Sequence, residues 1–349
     1  MTNIIFRRIK LNIINQFIKK IVPATALLLA TVSCGLNQNE KDIRFSNKLK
    51  IVNWNVQTFF DSQTDGSEYS EFVSSATWGK EMYVTRLERL CKSIKEFDAD
   101  IIVMEEIENQ QVIHDISNFL QGEWDHKKIY PYACFAKDDD CSIGCGILSR
   151  VPLQNMSIHS LDIRSEDSSM PRMRPIIQVD AICGTSSVTL LVNHWKSKSG
   201  GEEVTEVWRN REEGVLFKCL RNLSKQNRCV VALGDFNRDI NDFCLVGNTG
   251  NVMIRNWENG NLSETEGIEM KSPWFFEDGS YVEPGSYFFN GEWSRIDNIF
   301  CMGKTSILNF YPETEGPWCN PTTSIPIKYS LFNGTGYSDH LPILCTIGF

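Results

Sequence analysis

Six apolar runs in this sequence each end or begin on residues able to do acid, base or ligand chemistry. Asn55 follows Trp54 in LKIVNWNV, Glu105 and Glu106 follow IIVM, and Asn193-His194 follow LLV. Asp235 and Asn237 close VVALGDFN, Asp297 opens DNIF, and Asp339-His340 precede LPILC. Carboxylates, carboxamides and imidazoles together suit proton transfer and the binding of a hard cation: Asp, Glu and Asn supply oxygen donors, and His titrates near neutral pH. Each residue also has a plain structural reading, since Asp and Asn favour turns and an Asp-His pair before a strand makes a capped turn. Delivery on six separate runs makes them a candidate site.

The elements that must carry these residues follow from the hydrophobic periodicity. Residues 49–56 and 98–107 read as strands, separated by an amphipathic helix over 83–97 with Val84, Leu87, Leu90, Cys91 and Ile94 on one face. A helix over 112–120 and a strand over 145–150 come next. Residues 175–183 and 187–195 form a hairpin across Gly184, followed by a helix over 208–223 and a strand over 229–236. The region 247–292, polar and glycine-rich with Pro273 and Pro284, shows no clear period and reads as loop and lid. Strands over 295–302 and 340–349 complete the pattern. Strands outnumber helices, and helices fall between only some of them. The expected fold class is therefore α/β, two mixed β-sheets packed together with helices outside, in one domain over 49–349.

Residues 1–33 stand apart. Arg7, Arg8, Lys10, Lys19 and Lys20 precede the apolar run Ile21–Val32 and then Ser33-Cys34, the order of a secretory signal. The run is well short of the ~20 residues that span a bilayer. Thr31-Val32-Ser33-Cys34 resembles the lipobox of bacterial lipoproteins, with Thr31 and Val32 departing from its usual residues. That resemblance implies an exported membrane lipoprotein facing the periplasm or cell surface, lipidated at Cys34, with 34–48 as a polar tether. The alternative is an ordinary signal with a chance cysteine.

Charge and cysteine content bound the remaining possibilities. The chain has 35 Lys and Arg against 44 Asp and Glu, a net charge of −9; without residues 1–33 it has 30 against 44, or −14. Nonspecific nucleic-acid binders gain affinity by neutralising phosphates, so this surface excludes wholesale coating of a polyanion. A phosphate-bearing substrate must meet a metal or a local positive site, for which Arg174, Lys196 and Lys198 are candidates; solvated surface charge is the other reading of the three. Of the 12 cysteines, Cys183, Cys229, Cys301 and Cys345 sit in apolar runs and read as small buried hydrophobes. Cys134, Cys141 and Cys145 lie close enough in sequence for a local disulfide, whereas a zinc site there lacks a nearby fourth ligand.

VNWNV, IIVMEEIEN, CGILSR, LVNHWKSK, ALGDFNRD, RIDNIF and YSDHLPI resemble, in order, the motifs of the endonuclease/exonuclease/phosphatase superfamily, over about residues 49–349. The resemblance implies a four-layer α/β sandwich with a metal-dependent phosphoesterase site at one end of its two sheets. It implies metal binding by Glu106, with Asn55 beside it and Asp339 as a further metal-side carboxylate. Asp235 and Asn237 match the pair that positions the attacking water and the phosphate, His194 a phosphate-contacting or acid residue, and Asp297 with His340 an Asp–His couple. Arg174 and Lys196 are the expected phosphate contacts. The implied cofactor is Mg²⁺, with Mn²⁺ or Ca²⁺ as substitutes. Glu105 stands where Gln is usual, and Gln57 where some relatives have an acid, which puts a second metal there in doubt.

The expected activity is hydrolysis of DNA or RNA by in-line attack of an activated water, by a monomer with no evident protein partner and a membrane contact through Cys34. LVNHWKSKSGGEE resembles the extracellular nuclease branch of the family. A phosphatase or phospholipase-type phosphodiesterase on a small or lipid substrate is the alternative within enzymes. A non-catalytic surface binding protein is the alternative outside them.

Overall fold

The computed structural model describes residues 47–349, apart from 124, 126, 127, 140, 165 and 166, together with the backbone of Arg7 and Arg8. The expected signal segment, most of the tether and the lipidation site at Cys34 lie outside the described residues.

Two large mixed sheets face each other. The first runs in the order β1 (Arg7–Arg8), β4 (Tyr132–Ala136), β5 (Gly144–Ser149), β3 (Ile101–Ile107), β2 (Lys48–Phe59), β17 (Ile343–Gly348) and β16 (Ser306–Pro312). The second runs β10 (Cys244–Val246), β11 (Asn251–Glu258), β12 (Asn261–Lys271), β15 (Asp297–Met302), β9 (Cys229–Asp235), β8 (Ser186–His194), β7 (Ile176–Cys183) and β6 (Leu153–His159). A small hairpin, β13 (Tyr287–Phe289) and β14 (Glu292–Ser294), stands outside both.

Alternation along the strands decides what packs where, because successive side chains point to opposite faces. In β2, Leu49 and Ile51 point into the core between the sheets, whereas Val52, Trp54 and Val56 point outward. In β3, Ile101 and Val103 face inward and Ile102 and Met104 outward. The outward set is covered by α2 (Lys80–Phe97), which follows the one-turn α1 (Ser70–Val73), and by α3 (Gln110–Glu123), through Leu87, Leu90, Ile94, Val112 and Ile116. On the far side, Leu216, Phe217 and Leu220 of α4 (Glu202–Ser224) close over the second sheet. The result is a four-layer α/β sandwich, helix–sheet–sheet–helix, whose central strands are apolar on both faces. Full burial of each such aliphatic side chain contributes roughly 1.5–3 kcal/mol.

The structure corrects several expectations. The region 247–292 is not simply loop and lid. It holds the β11–β12 hairpin, turning at Asn259 and Gly260 with φ of 48° and 83°, and the β13–β14 hairpin, turning at Asn290 and Gly291 with φ of 51° and 88°. Asn-Gly suits a two-residue hairpin turn because both positions need positive φ. The alternation of β11 was masked by Asn256, a polar residue on the buried face beside Val252 and Ile254. Val84 is exposed and Tyr83 takes its place on the apolar face of α2. Cys229 is only half-buried. None of the eleven cysteines among the described residues is in a disulfide, Cys134, Cys141 and Cys145 included. Burial in apolar surroundings pushes the Cys134 thiol up to about 12, the opposite of a thiolate ready for zinc.

Candidate active site

The sequence singled out residues that the two sheets bring to one end of their interface. From the first sheet come Asn55 on β2 and Glu106 on β3, with His340 just before β17. From the second come His194 and Asp235, paired in parallel register at the ends of β8 and β9, and Asp297, opposite Asp235 at the start of β15. Asn55 fastens the two halves: its Nδ2 donates to Glu106 Oε1 at 3.1 Å and to Asp235 Oδ2 at 3.0 Å.

Backbone geometry brings these ends close. Gly234 has φ of 138°, and a Cβ there would sit 1.9 Å from the carbonyl oxygen of Asn193, so only glycine lets β8 and β9 converge before Asp235. Glu106 itself has φ of 63°, at an irregularity where β3 departs from register with β2. The adjoining turn is strained too, with Gln57 and Thr58 at positive φ. Arg86 of α2 holds it by donating to the carbonyls of Val56, Gln57 and Thr58, and the Thr58 N–H in turn donates to Glu106 Oε2.

Two imidazoles of opposite character converge on Asp235. His340 Nε2 lies 4.0 Å and His194 Nε2 3.8 Å from Asp235 Oδ2. Burial opposes charge on His340, but Asp297, its hydrogen bond at 2.8 Å, Asp235 and Asp339 override that and hold the imidazole well above its usual range. For His194, burial and then Arg174, His340 and Lys196 act in one direction, and the ring is pushed well below it. His340 is the cation and His194 the neutral ring. Asp235 is raised to about 7 by burial and by Asp297, against the opposing pull of His340 and the Asn237 N–H.

Asp235 and Asn237 form a turn, and the same turn aims Asp235 at the histidines. Asp235 Oδ1 accepts the Asn237 N–H at 2.8 Å and closes the turn, which leaves Oδ2 to face the histidines. The Asn237 Nδ2 donates one hydrogen to the Trp195 carbonyl at 3.1 Å. Arg174 donates to that same carbonyl, and its charge helps to hold His194 neutral. Lys196 acts on His194 as well, its ammonium pushed down by burial and by Arg174. Lys198 instead pairs with Glu202 at the start of α4. Gln57 exchanges hydrogen bonds with the backbone of Tyr329 on both sides of its amide, so it braces a loop.

Glu105 and Glu106, adjacent in sequence, have separate environments. Glu105 is fully buried beside Asn53, and burial, Asp297 and Asp235 raise its carboxyl well above the usual range, so it is held neutral. Glu106 is raised by burial and by the like charge of Asp339, offset by its hydrogen bonds to Asn55 and Thr58. Two carboxylates repelling each other fit a hard divalent cation, with Glu106 and Asp339 as its ligands. Asn55, expected as a metal residue, instead turns its Nδ2 to Glu106 while its Oδ1 accepts the Gln57 N–H at 3.0 Å, so it orients Glu106. Asp235, Asp297 and His340 also cluster tightly. Because His340 is bonded to Asp297 through Nδ1 and held as the cation, it has no lone pair to offer a metal, and the trio reads as a proton couple.

Sequence reasoning missed three supports. Ser338 accepts the His340 N–H at 3.1 Å and donates to the Asn55 carbonyl at 2.6 Å. The Tyr287 ring lies 4.8 Å from that of His340. Arg86, a buried charge amid the apolar face Tyr83, Leu87 and Leu90, could have been found from that position alone.

The Endonuclease/Exonuclease/phosphatase family model matches residues 50–309. The chain belongs to this family. Its members are phosphoesterases, typically dependent on a divalent metal. Ser338–His340 lie beyond the matched span and owe their place to the geometry above. The endonuclease/exonuclease/phosphatase fold recurs in solved structures of low identity. Truncated TDP2 of Caenorhabditis elegans is 16% identical with a TM-score of 0.54, over 86% of this chain and 98% of that one. The human Nocturnin catalytic domain with bound sulfate is 15% identical, TM-score 0.52, over 87% and 96%. An endonuclease/exonuclease/phosphatase from Beutenbergia cavernae is 13% identical, TM-score 0.51, over 86% and 72%. No curated protein sequence matches the chain.

Proposed function

We propose that this protein is an exported, lipid-anchored nuclease that hydrolyses phosphodiester bonds of DNA or RNA with Mg²⁺. The observation that carries the reading is the convergence of a cationic and a neutral imidazole on one Asp235 oxygen, 3.8–4.0 Å away. A general base works best with a pKa near the operating pH, and Asp235 at about 7 meets that condition for taking a proton from the attacking water. His340, kept charged by Asp297, stabilises negative charge that develops on the phosphoryl oxygens. His194 hydrogen-bonds the phosphate without adding charge, and Asn237 has a second amide hydrogen for the same purpose. A divalent cation held by Glu106 and Asp339 would polarise the phosphoryl oxygen. Arg174 and Lys196 supply the local positive charge that the acidic surface otherwise lacks.

Export and anchoring rest on the basic, apolar and cysteine-terminated order of residues 1–34. A lipid or small phosphoester remains the second reading. It draws support from a pocket of about 520 Å³ beside Asp339, with Phe288, Ile325, Pro326 and Ile327 in its wall. The deciding experiment incubates the protein with plasmid DNA, RNA, a phospholipid and a phosphomonoester, each with Mg²⁺ and with EDTA. Mg²⁺-dependent cleavage of nucleic acid supports the nuclease reading; cleavage of only the lipid or monoester overturns it.

A further inference from the structure

We infer that a second divalent cation site, built for Ca²⁺, lies at Asp65, Glu68 and Glu108. One carboxylate oxygen from each residue lies within 4.8 Å of those of the other two. Oxygens bound to one calcium at 2.3–2.6 Å are at most about 5.2 Å apart, so a single ion can bridge all three. Acidic loops usually need no ion, but Glu108 departs from that pattern. It is only 1% exposed, its Oε2 accepts the Asp61 N–H, and its Oε1 has no hydrogen-bond partner among the described residues. The charges facing it from Asp61, Glu68 and Asp65 are all negative. Such an oxygen is relieved by a proton, as at Glu105, or by a cation, and the two further carboxylates within 4.8 Å set Glu108 apart as the place for a cation.

The local sequence supports the choice of ion. Asp61-Ser62-Gln63-Thr64-Asp65-Gly66 places side-chain oxygens at the first, third and fifth positions and glycine at the sixth, as in the first half of an EF-hand calcium loop, and of these positions the fifth, Asp65, belongs to the trio. Gly66 takes the φ of 92° that such a turn requires. The second half differs. Phe72 stands where that loop ends in Glu, and the missing acid is supplied from outside the loop by Glu108. Asp61 stands outside the trio, its Oδ1 taking the Gln63 N–H and its Oδ2 the Asn109 amide. Within the trio Asp65 Oδ1 takes the Ser67 N–H and the Glu68 oxygens take the Asp65 and Gly66 N–H groups, which leaves each a lone pair for an ion. The nearby cation Lys137 acts on Asp65 at a distance and forms no ion pair with it among the described residues. All donors are oxygens, one is buried and two are reachable from solvent, which suits Ca²⁺ over zinc.

Occupancy would tie the 61–68 loop to the segment that follows Glu106. Two carboxylates there already grip the strand leaving β2, Glu106 through the Thr58 N–H and Glu108 through the Asp61 N–H. The test is calorimetric titration of Ca²⁺ into the full chain under saturating Mg²⁺, with thermal melting and Tb³⁺ luminescence as second readouts. Trp78, whose Nε1 donates to the Asp61 carbonyl at 2.9 Å, is the expected sensitiser. Saturable binding and a raised Tm are expected in the wild type and in Glu106→Gln, with affinity at least about tenfold weaker in Asp65→Asn/Glu68→Gln. Mg²⁺-dependent activity of the double variant reports that it is folded; if it is not, Asp65→Asn and Glu68→Gln are measured singly. No saturable binding in the wild type overturns the proposal. So does undiminished binding in the loop variants, or binding lost in Glu106→Gln and kept in the loop variants.

Discussion

His340 Nδ1 lies 2.8 Å from Asp297 Oδ2, with both side chains buried and 43 residues apart in sequence. In Asp297→Asn a hydrogen bond survives but the anion is lost. The folded-state pKa of His340, now well above its usual value, then falls. Because the charged ring is the active form, the alkaline limb of the pH–rate profile should move to lower pH, with kcat reduced roughly 10²–10⁴-fold. Losses in Asp297→Asn and His340→Ala should not add, since both disable one unit. An unmoved alkaline limb, or additive losses, would break the couple.

Glu106→Gln keeps the shape of the side chain and its acceptor for the Thr58 N–H but removes the charge facing Asp339. Activity at saturating Mg²⁺ should fall roughly 10²–10³-fold while the melting curve stays cooperative. EDTA should abolish wild-type activity and added Mg²⁺ restore it. Near wild-type turnover by the variant would remove Glu106 from the site.

Glu105→Gln should behave in the opposite way, with activity little changed and stability increased. The folded-state pKa of Glu105 is raised, so its contribution is most favourable below the unfolded value and is lost as pH rises toward the folded one. The amide carries no such dependence. The Tm advantage of the variant should therefore grow from mildly acidic to mildly alkaline pH, as calorimetry can measure. A Tm difference that is flat or negative across that range would contradict a neutral buried carboxyl.

Gly234→Ala should be severely destabilising. The new methyl would meet the Asn193 carbonyl at 1.9 Å, at a φ that L-residues rarely adopt. A loss of about 3 kcal/mol or more is expected in urea denaturation. A loss below about 1 kcal/mol would mean that the β8–β9 approach relaxes easily.

Cys34→Ser should release the protein from membranes with catalysis intact, because the site is built from residues 55–340 and not from the anchor. Unchanged membrane fractionation of the variant would show that residues 1–34 are read in another way.

The site was more legible in the sequence than the sheets that hold it. Asn55, Glu106, His194, Asp235, Asp297 and His340 could be named because each polar residue interrupts or ends an apolar run, a local signal. Strands β4, β6, β10 and β16 were missed because their own patterns are short or mixed, as in half-exposed β16, where pairing with β17 supplies what periodicity does not. The Asn259-Gly260 turn was a readable hairpin signal, obscured by the polar residues on both sides. Ser338 and Tyr287 were invisible for another reason. Their roles exist only once β17 lies beside β2, and no spacing along the chain encodes that contact.

That pairing has a consequence for when the enzyme can exist. Asn55 belongs to the first strand of the domain core and His340 precedes the last, and the two join through Ser338, 283 residues from Asn55. Asp235, His194 and Asp297 wait on the opposite sheet. A nascent chain therefore carries the parts of the site in pieces, and Asn55 cannot meet Ser338 and His340 until the last strand has been made. Completion of the fold does the job that a cleavable inhibitory segment does in other hydrolases: it delays the blade until the handle is finished.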